Sequence, residues 1–218
     1  MSKLYVPIGI PGSGKSSWTE MLPGDVVVVC PDEIRVEVAK EKLPELFRNN
    51  NQELIKRLYD TQPSLKYKSL EDYTKADLMG VQIFNGIVWK EAYRRIEKFL
   101  KEGKDVVLDA TNVSSDQRRT AIEVGKKHGA EIIGRNFDID LDEAKQRVKL
   151  REERGGLGIP DHVMERMHNT YKSNRPSIEE GFDELEDADT GRKTDASIRE
   201  RILVLAEKVK KLQDRRFS

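Results

Sequence analysis

The sequence predicts an α/β fold, a parallel sheet of four to five strands covered by helices on both faces and closed by a helical lid. Three observations predict it. Short aliphatic and β-branched runs alternate with longer helical stretches along the 218 residues, the pattern of strands joined by right-handed crossover helices. A glycine-rich loop, Gly9-Ile10-Pro11-Gly12-Ser13-Gly14-Lys15-Ser16, follows the first apolar run directly. Finally, Asp32 and Asp109 stand just past the second and third runs, the strand ends where open parallel sheets gather ligands.

Composition narrows the class. Hydrophobic residues make up 37% and charged residues 36%, which describes a very polar globular chain with many helical surfaces. The 39 basic and 39 acidic residues cancel, so no global basic field draws in nucleic acid, and polynucleotide contact has to rest on a local cleft. One cysteine, Cys30, excludes an internal disulfide and fits a reducing compartment. With no membrane-length apolar run and no signal-peptide pattern, the sequence predicts a cytoplasmic protein, in one domain over 1–218.

Leu4 to Ile8 is the first strand, and the loop after it reads G-x-x-x-x-G-K-S. Its glycines let successive backbone N–H groups converge on phosphate oxygens at a helix N-terminus. Lys15 then reaches the β- and γ-phosphates and the Ser16 hydroxyl holds Mg²⁺. Gly12, Ser13, Gly14, Lys15, Ser16 and Ser17 are therefore the expected contacts to ATP, with Ser16 the metal ligand. Val26 to Cys30 is a second, doubly buried strand, with Cys30 inside it. Pro31 ends that strand, and Asp32 is placed to cap a helix from Glu33 to about Lys42. Residues 43–79 are irregular and rich in Asn, Lys and Tyr, and read as a mostly helical insertion or substrate-facing cover. A long helix follows from about Val81 to Glu102, with Ile83, Ile87, Ala92, Ile96, Phe99 and Leu100 on its apolar side, until Gly103 stops it.

Val106 to Leu108 is the third strand, ending in Asp109-Ala110-Thr111-Asn112. Ser114 and Gln117 mark the start of a helix to Lys127, and Ile132 to Phe137 is the fourth strand. A helix from Leu141 to Glu153 leads through Gly155-Gly156-Leu157-Gly158 into another beginning at Pro160-Asp161, so that 147–175 forms the lid region. Phe182 to Leu185 is a candidate fifth strand. A last helix over about 196–213 carries Ile198, Ile202, Leu205, Val209 and Leu212 at 4-3-4-3 spacing, a stripe that docks on the domain or forms a homodimer seam.

Several residues have two readings. Asp32 and Arg35 share a helix face. They are a cap and a solvated arginine, or a base for an attacking hydroxyl and a grip on phosphate. Asp109, Thr111 and Asn112 form an ordinary turn, or else organise the magnesium shell and touch substrate. Arg147, Arg151 and Arg154 line one helix face beside the glycine link. They make ion pairs with neighbouring glutamates, or they close over the phosphates, with Arg154 nearest the hinge the leading candidate. Trp89 and Tyr93 are four apart and read as core, though one of them could stack a base. His128, His162 and His168 lack metal-ligand spacing.

The GIPGSGKSSW loop, Asp32-x-x-Arg35, the Asp109-Ala110-Thr111-Asn112 turn with Asp116-Gln117-Arg118-Arg119, and Arg154-Gly155 with Ile159-Pro160 occur in the order and spacing of one family. The chain resembles the kinase domain of phage-type 5′-hydroxyl polynucleotide kinases, within the P-loop kinase superfamily, over most of residues 4–175. Pro176 to Phe182 also resembles single-domain relatives of that group. The resemblance implies a P-loop kinase fold, with transfer of the ATP γ-phosphate to the 5′-hydroxyl end of single-stranded or nicked DNA or RNA in repair. It implies that Lys15, Asp32 (general base) and Arg154 (lid) are catalytic, with Arg151 beside them on ATP, and that Arg35, Asp109, Thr111 and Asn112 serve the acceptor. Two departures bear on the acceptor. A second lid arginine expected four residues before Arg154 is Leu150, and the 43–79 insertion exceeds that of the phage enzyme. The phosphatase signature of bifunctional relatives is absent. A small-molecule hydroxyl acceptor on the same scaffold is the alternative, and zero net charge favours it.

Overall fold

The protein's computed structural model describes residues 1–188. The 196–213 helix, and with it the dimer seam, lies outside the described residues. Side-chain alternation decides the layering. Along β1 (Lys3–Ile8), Leu4, Val6 and Ile8 join the main core while Tyr5 packs with Leu22, Val107 and Ile133 on the opposite face. The remaining strands are β2 (Val27–Val29), β3 (Val106–Leu108), β4 (Glu131–Asn136) and β5 (Glu184–Asp187). All pair in parallel in the order β2-β3-β1-β4-β5. Five strands form, and chain direction outward from β1 reverses there, which opens a crevice at its carboxyl end.

The helices follow from capping and apolar spacing. They are α1 (Lys15–Thr19), α2 (Pro31–Arg48), α3 (Gln52–Thr61), α4 (Lys75–Met79), α5 (Asn85–Lys101), α6 (Ser115–Lys127), α7 (Leu141–Glu153) and α8 (Asp161–Ser173). Ser114 accepts from the Gln117 N–H to start α6, and Asp140 accepts from the Asp142 and Glu143 N–H groups to start α7.

Several boundaries shift from the expected ones. Pro31 opens α2 rather than ending a strand, because its fixed φ suits the first helical position, so Cys30 falls at the cap and Asp32 inside the first turn. Asp32 is therefore not the cap. That helix also runs past Lys42 and through Pro44, held by buried Leu43 and Leu46. The 43–79 segment is helical as expected. It contains the end of α2, then α3, 3₁₀ turns at Pro63–Tyr67 and Leu70–Asp72, and α4. Leu58 and Leu65 are fully buried, so the segment is part of the core as well as a cover. In α5 the inner positions are Val88, Ala92, Ile96 and Leu100, and Ile87 turns out to solvent at 46% exposure, one position off the expected stripe. β5 begins two residues late because Phe182 packs into the core instead. Trp89 and Tyr93 lie against each other at 5.6 Å between centroids, and both pack on the core.

One buried charge ties the end of the fold to its centre. Arg118 on α6 is 0% exposed. It donates two bonds to the Glu180 carboxylate (2.6 and 2.7 Å) and one each to the carbonyls of Asn112 and Asn174. Glu180→Ala leaves that guanidinium without its counter-charge. Loss of one partner from such a pair costs about 3–5 kcal/mol, so the urea midpoint is expected to fall accordingly. A midpoint within experimental error of wild type would show that the pair contributes no net stability.

Candidate active site

The loop after β1 is shaped by what lies behind it. Gly12 adopts φ +82°, and a Cβ there would sit 2.6 Å from the Ala144 carbonyl oxygen, so α7 packs directly on the loop. Gly14 at φ +108° turns the chain into α1. The Gly9 N–H donates to the Thr111 carbonyl at 2.9 Å, joining this loop to the turn after β3.

Lys15 is 8% exposed. Its ammonium donates to the Gly9 and Ile10 carbonyls at 2.8 and 2.9 Å. Burial pushes its pKa down to about 8; Asp109 opposes the shift and Arg151 adds to it. Burial pushes the Asp109 carboxyl up, against the pull of Lys15 and with the push of Asp32. Ser16, Ser17, Asp32, Asp109, Thr111 and Arg151 line one cleft of about 460 Å³ together with Lys15, Gly12 and Gly14. Residues from four separate stretches of sequence thus converge on one rim.

Four expected contacts do not face this cleft. Ser13 is 1% exposed, with its N–H bonded back to Ile10, so it packs under the loop. Asn112 is fully buried at φ +49°. Its amide donates to the carbonyls of Pro7, Leu108 and Ala110, so it braces the turn from behind and touches no substrate space. Arg35 is 6% exposed. It pairs with Asp32, donates to the Met79 carbonyl, and donates through two nitrogens to Asn85 Oδ1 at 3.1 and 3.2 Å. Four of its five N–H donors are thus committed inside the protein, and it orients Asp32 rather than presenting itself to an acceptor phosphate. Arg154 caps α7 at the surface, while Arg151, one turn earlier, lines the cleft and donates to the Leu157 carbonyl at 2.7 Å.

The sequence reading missed Cys30, Met79, Asn85, Leu157 and Ile159. Cys30 lines the cleft because α2 starts two residues earlier than expected. Asn85 is 50 residues from Arg35 and had no local signal. Leu157 and Ile159 were visible only as parts of a glycine link. With Met79 they also border a larger cleft of about 880 Å³ between α4 and the 155–160 loop, which opens from the first.

Among the described residues no group of three His, Cys, Asp or Glu forms an all-protein metal cage. A hydroxyl and a carboxylate beside a triphosphate site nonetheless suit Mg²⁺, which takes one or two protein ligands and fills its shell with phosphate oxygens and water. Ser16 and Asp109 are the residues on the cleft wall that fit it.

This fold and cleft define a P-loop protein of the kinase type, built for nucleotide-dependent phosphotransfer. A family model described as AAA domain (AAA_33) matches residues 4–174, and the chain belongs to that family. Among solved structures, it resembles a chain of a Pnkp1/Rnl/Hen1 RNA repair complex at 20% identity and TM-score 0.54, over 80% of this chain and 45% of that one. The protein thus spans less than half of that relative's length. It resembles a putative kinase from Chloroflexus aurantiacus j-10-fl at 14% identity and TM-score 0.54, over 98% of this chain and 97% of that one. A gluconokinase from Sinorhizobium meliloti 1021 matches at 14% identity and TM-score 0.50, with the same coverage of both chains. At these identities the likeness is one of fold. No described helix is long and apolar enough to cross a membrane.

The position of Lys15 makes nucleotide binding pH-dependent. Near pH 8 about half of the buried ammonium is deprotonated, and triphosphate favours its charged form. Binding ATP–Mg²⁺ at pH 8–9 is therefore expected to take up a fraction of a proton, read by calorimetry in buffers of different ionisation enthalpy. Lys15→Met abolishes the uptake. The sign holds for stability too. The folded pKa lies below the unfolded one, so the unfolded chain binds more protons and stability rises with pH between about 8 and 10.5.

Proposed function

We propose that the protein transfers the γ-phosphate of ATP, held with Mg²⁺ in the phosphate loop, to the 5′-hydroxyl end of a polynucleotide. The observation that carries the reading is the exposed Asp32 carboxylate on the wall of the cleft that Lys15 and Ser16 also line, held by a buried arginine. A carboxylate so held accepts the proton of an attacking hydroxyl. Lys15 and Arg151 meet the charge spread over the transferring phosphoryl oxygens, Ser16 and Asp109 hold the metal, and Mg²⁺ when bound neutralises charge on the phosphate oxygens. The resemblance to polynucleotide kinases and the fold shared with a chain of an RNA repair complex support a nucleic-acid end as the acceptor.

A small-molecule acceptor is the second reading, and two observations favour it. Arg35 is buried with four of its five N–H groups bonded inside the protein, and the outer cleft carries Glu152 and Asp161, which repel a phosphodiester chain. The fold shared with a gluconokinase points the same way. Labelled ATP offered to 5′-hydroxyl oligonucleotides and to sugar acids separates the two. Label on oligonucleotide 5′ ends alone is expected, and label on the sugar acid alone would overturn the first reading.

Asp32→Asn keeps an oxygen for Arg35 to bond, so it is expected to fold normally and to bind ATP–Mg²⁺. It loses the base, and kcat is expected to fall by about 10²-fold or more. Full turnover would leave Asp32 as a structural partner of Arg35. For the lid, Arg151→Ala is expected to lower kcat by about 10²-fold, the loss typical of one charge-stabilising donor, and Arg154→Ala by less. The reverse ranking would restore Arg154 as the phosphate-gripping residue.

A further inference from the structure

The 43–79 insertion carries an aromatic ring that the site described above does not use. Tyr67 is 85% exposed at the end of the Pro63–Tyr67 turn, more than any other exposed large apolar side chain of the described residues except the terminal Met1. Its mount is firm. Leu65, two residues before, is fully buried and its carbonyl accepts from the Tyr73 hydroxyl at 3.2 Å. Lys68, the next residue, donates at 2.7 Å to Asp77 on α4. Exposed Lys66 flanks the ring on the other side. From Gln62 to Leu70 the chain has two lysines and no carboxylate, although Glu71 and Asp72 follow and Asp72 accepts from Ser69.

The place of this turn matters as much as its chemistry. Lys75, Ala76 and Met79 on α4 form one wall of the outer cleft, and Asp77, which anchors Lys68, lies between them on the other side of the same short helix. The turn and the cleft are thus about one helix diameter apart, roughly 10 Å. A stacked strand rises about 3.4 Å per nucleotide, so about three nucleotides cross that distance.

We propose that the Lys66-Tyr67-Lys68 turn is a stacking platform for an unpaired base of single-stranded nucleic acid whose 5′ end lies in the cleft. The inference rests on the polynucleotide reading above and adds a second point of grip to it. A base has two π-faces whatever its identity, so stacking on Tyr67 holds the strand without reading its sequence, and Lys66 supplies charge to the adjoining phosphate. This also answers how a chain of zero net charge with a committed Arg35 holds a polynucleotide, since part of the grip is apolar and lies outside the reaction cleft.

The test compares acceptors of different length on the full chain. KM is measured for a nucleoside 3′-monophosphate and for single-stranded 5′-hydroxyl oligonucleotides of two to eight nucleotides. Wild type is expected to show KM falling about tenfold once the acceptor passes about four nucleotides, the range of one base–aromatic stack. In Tyr67→Ala that gain disappears, while kcat and the KM of the monophosphate stay unchanged. Tyr67→Trp keeps the gain, and its added fluorescence is quenched by an eight-nucleotide strand and not by the monophosphate. No length dependence in wild type, or an equal rise in KM for every acceptor in Tyr67→Ala, would overturn the platform. Failure of wild type to phosphorylate any nucleic acid would sink the polynucleotide reading instead. In that case the platform stands or falls on whether the strand quenches Tyr67→Trp.

Discussion

The functional end of the molecule depends on β1 pairing in parallel on both sides at once. Its six residues run in register with β4 from Lys3 opposite Glu131 to Ile8 opposite Asn136, while Leu4 and Tyr5 pair with Val106 and Val107 of β3. A strand bonded on both edges cannot tilt or slip without breaking two ladders, and a one-residue slip would reverse every side chain across the sheet. The glycine loop thus leaves β1 from a fixed platform, and the turn after β3 arrives beside it at a height the register sets. The bond from the Gly9 N–H to the Thr111 carbonyl is the direct result. Lys15 and Asp109 approach each other because two strands do.

Two buried arginines extend this order outward, each by joining elements distant in sequence. Arg118 connects α6 to the turn after β3, to the end of α8 and to the segment before β5. Arg35 connects α2 to α4 and to the start of α5. Each guanidinium spreads five donors in a rigid plane, so it can satisfy several carbonyls and carboxylates that would otherwise face a dry interior. Removing such a charge from water is costly, and good geometry at every donor offsets that cost. For Arg35 the result is positional as well, since Asp32 is exposed on its outer side while its inner oxygen is held.

The alternation of strands and helices, the glycine loop and the two strand-end aspartates were legible in the sequence, because each is a local pattern with a local cause. Strand ends erred where a single residue had two roles. Pro31 reads as a strand terminator and is a helix opener, and that two-residue difference moved Asp32 off the cap and Cys30 into the cleft. The direction in which polar residues face was not legible. Asn112 and Arg35 have the types expected of substrate contacts, yet the carbonyls that hold them belong to residues up to 105 positions away. Arg151 against Arg154 was a question of helical phase at the last turn, where the end of α7 decides which side chain points over the loop. Asn85 is a position only tertiary structure could reveal.

The contact between Gly12 and Ala144 has a mechanical consequence. With the Ala144 carbonyl 2.6 Å from where a Gly12 Cβ would be, any side chain at position 12 would have to push the first turns of α7 away from the phosphate loop. Loop and helix are thus fitted to each other at backbone distance, and the spacing between them is set by the methyl group that Gly12 lacks.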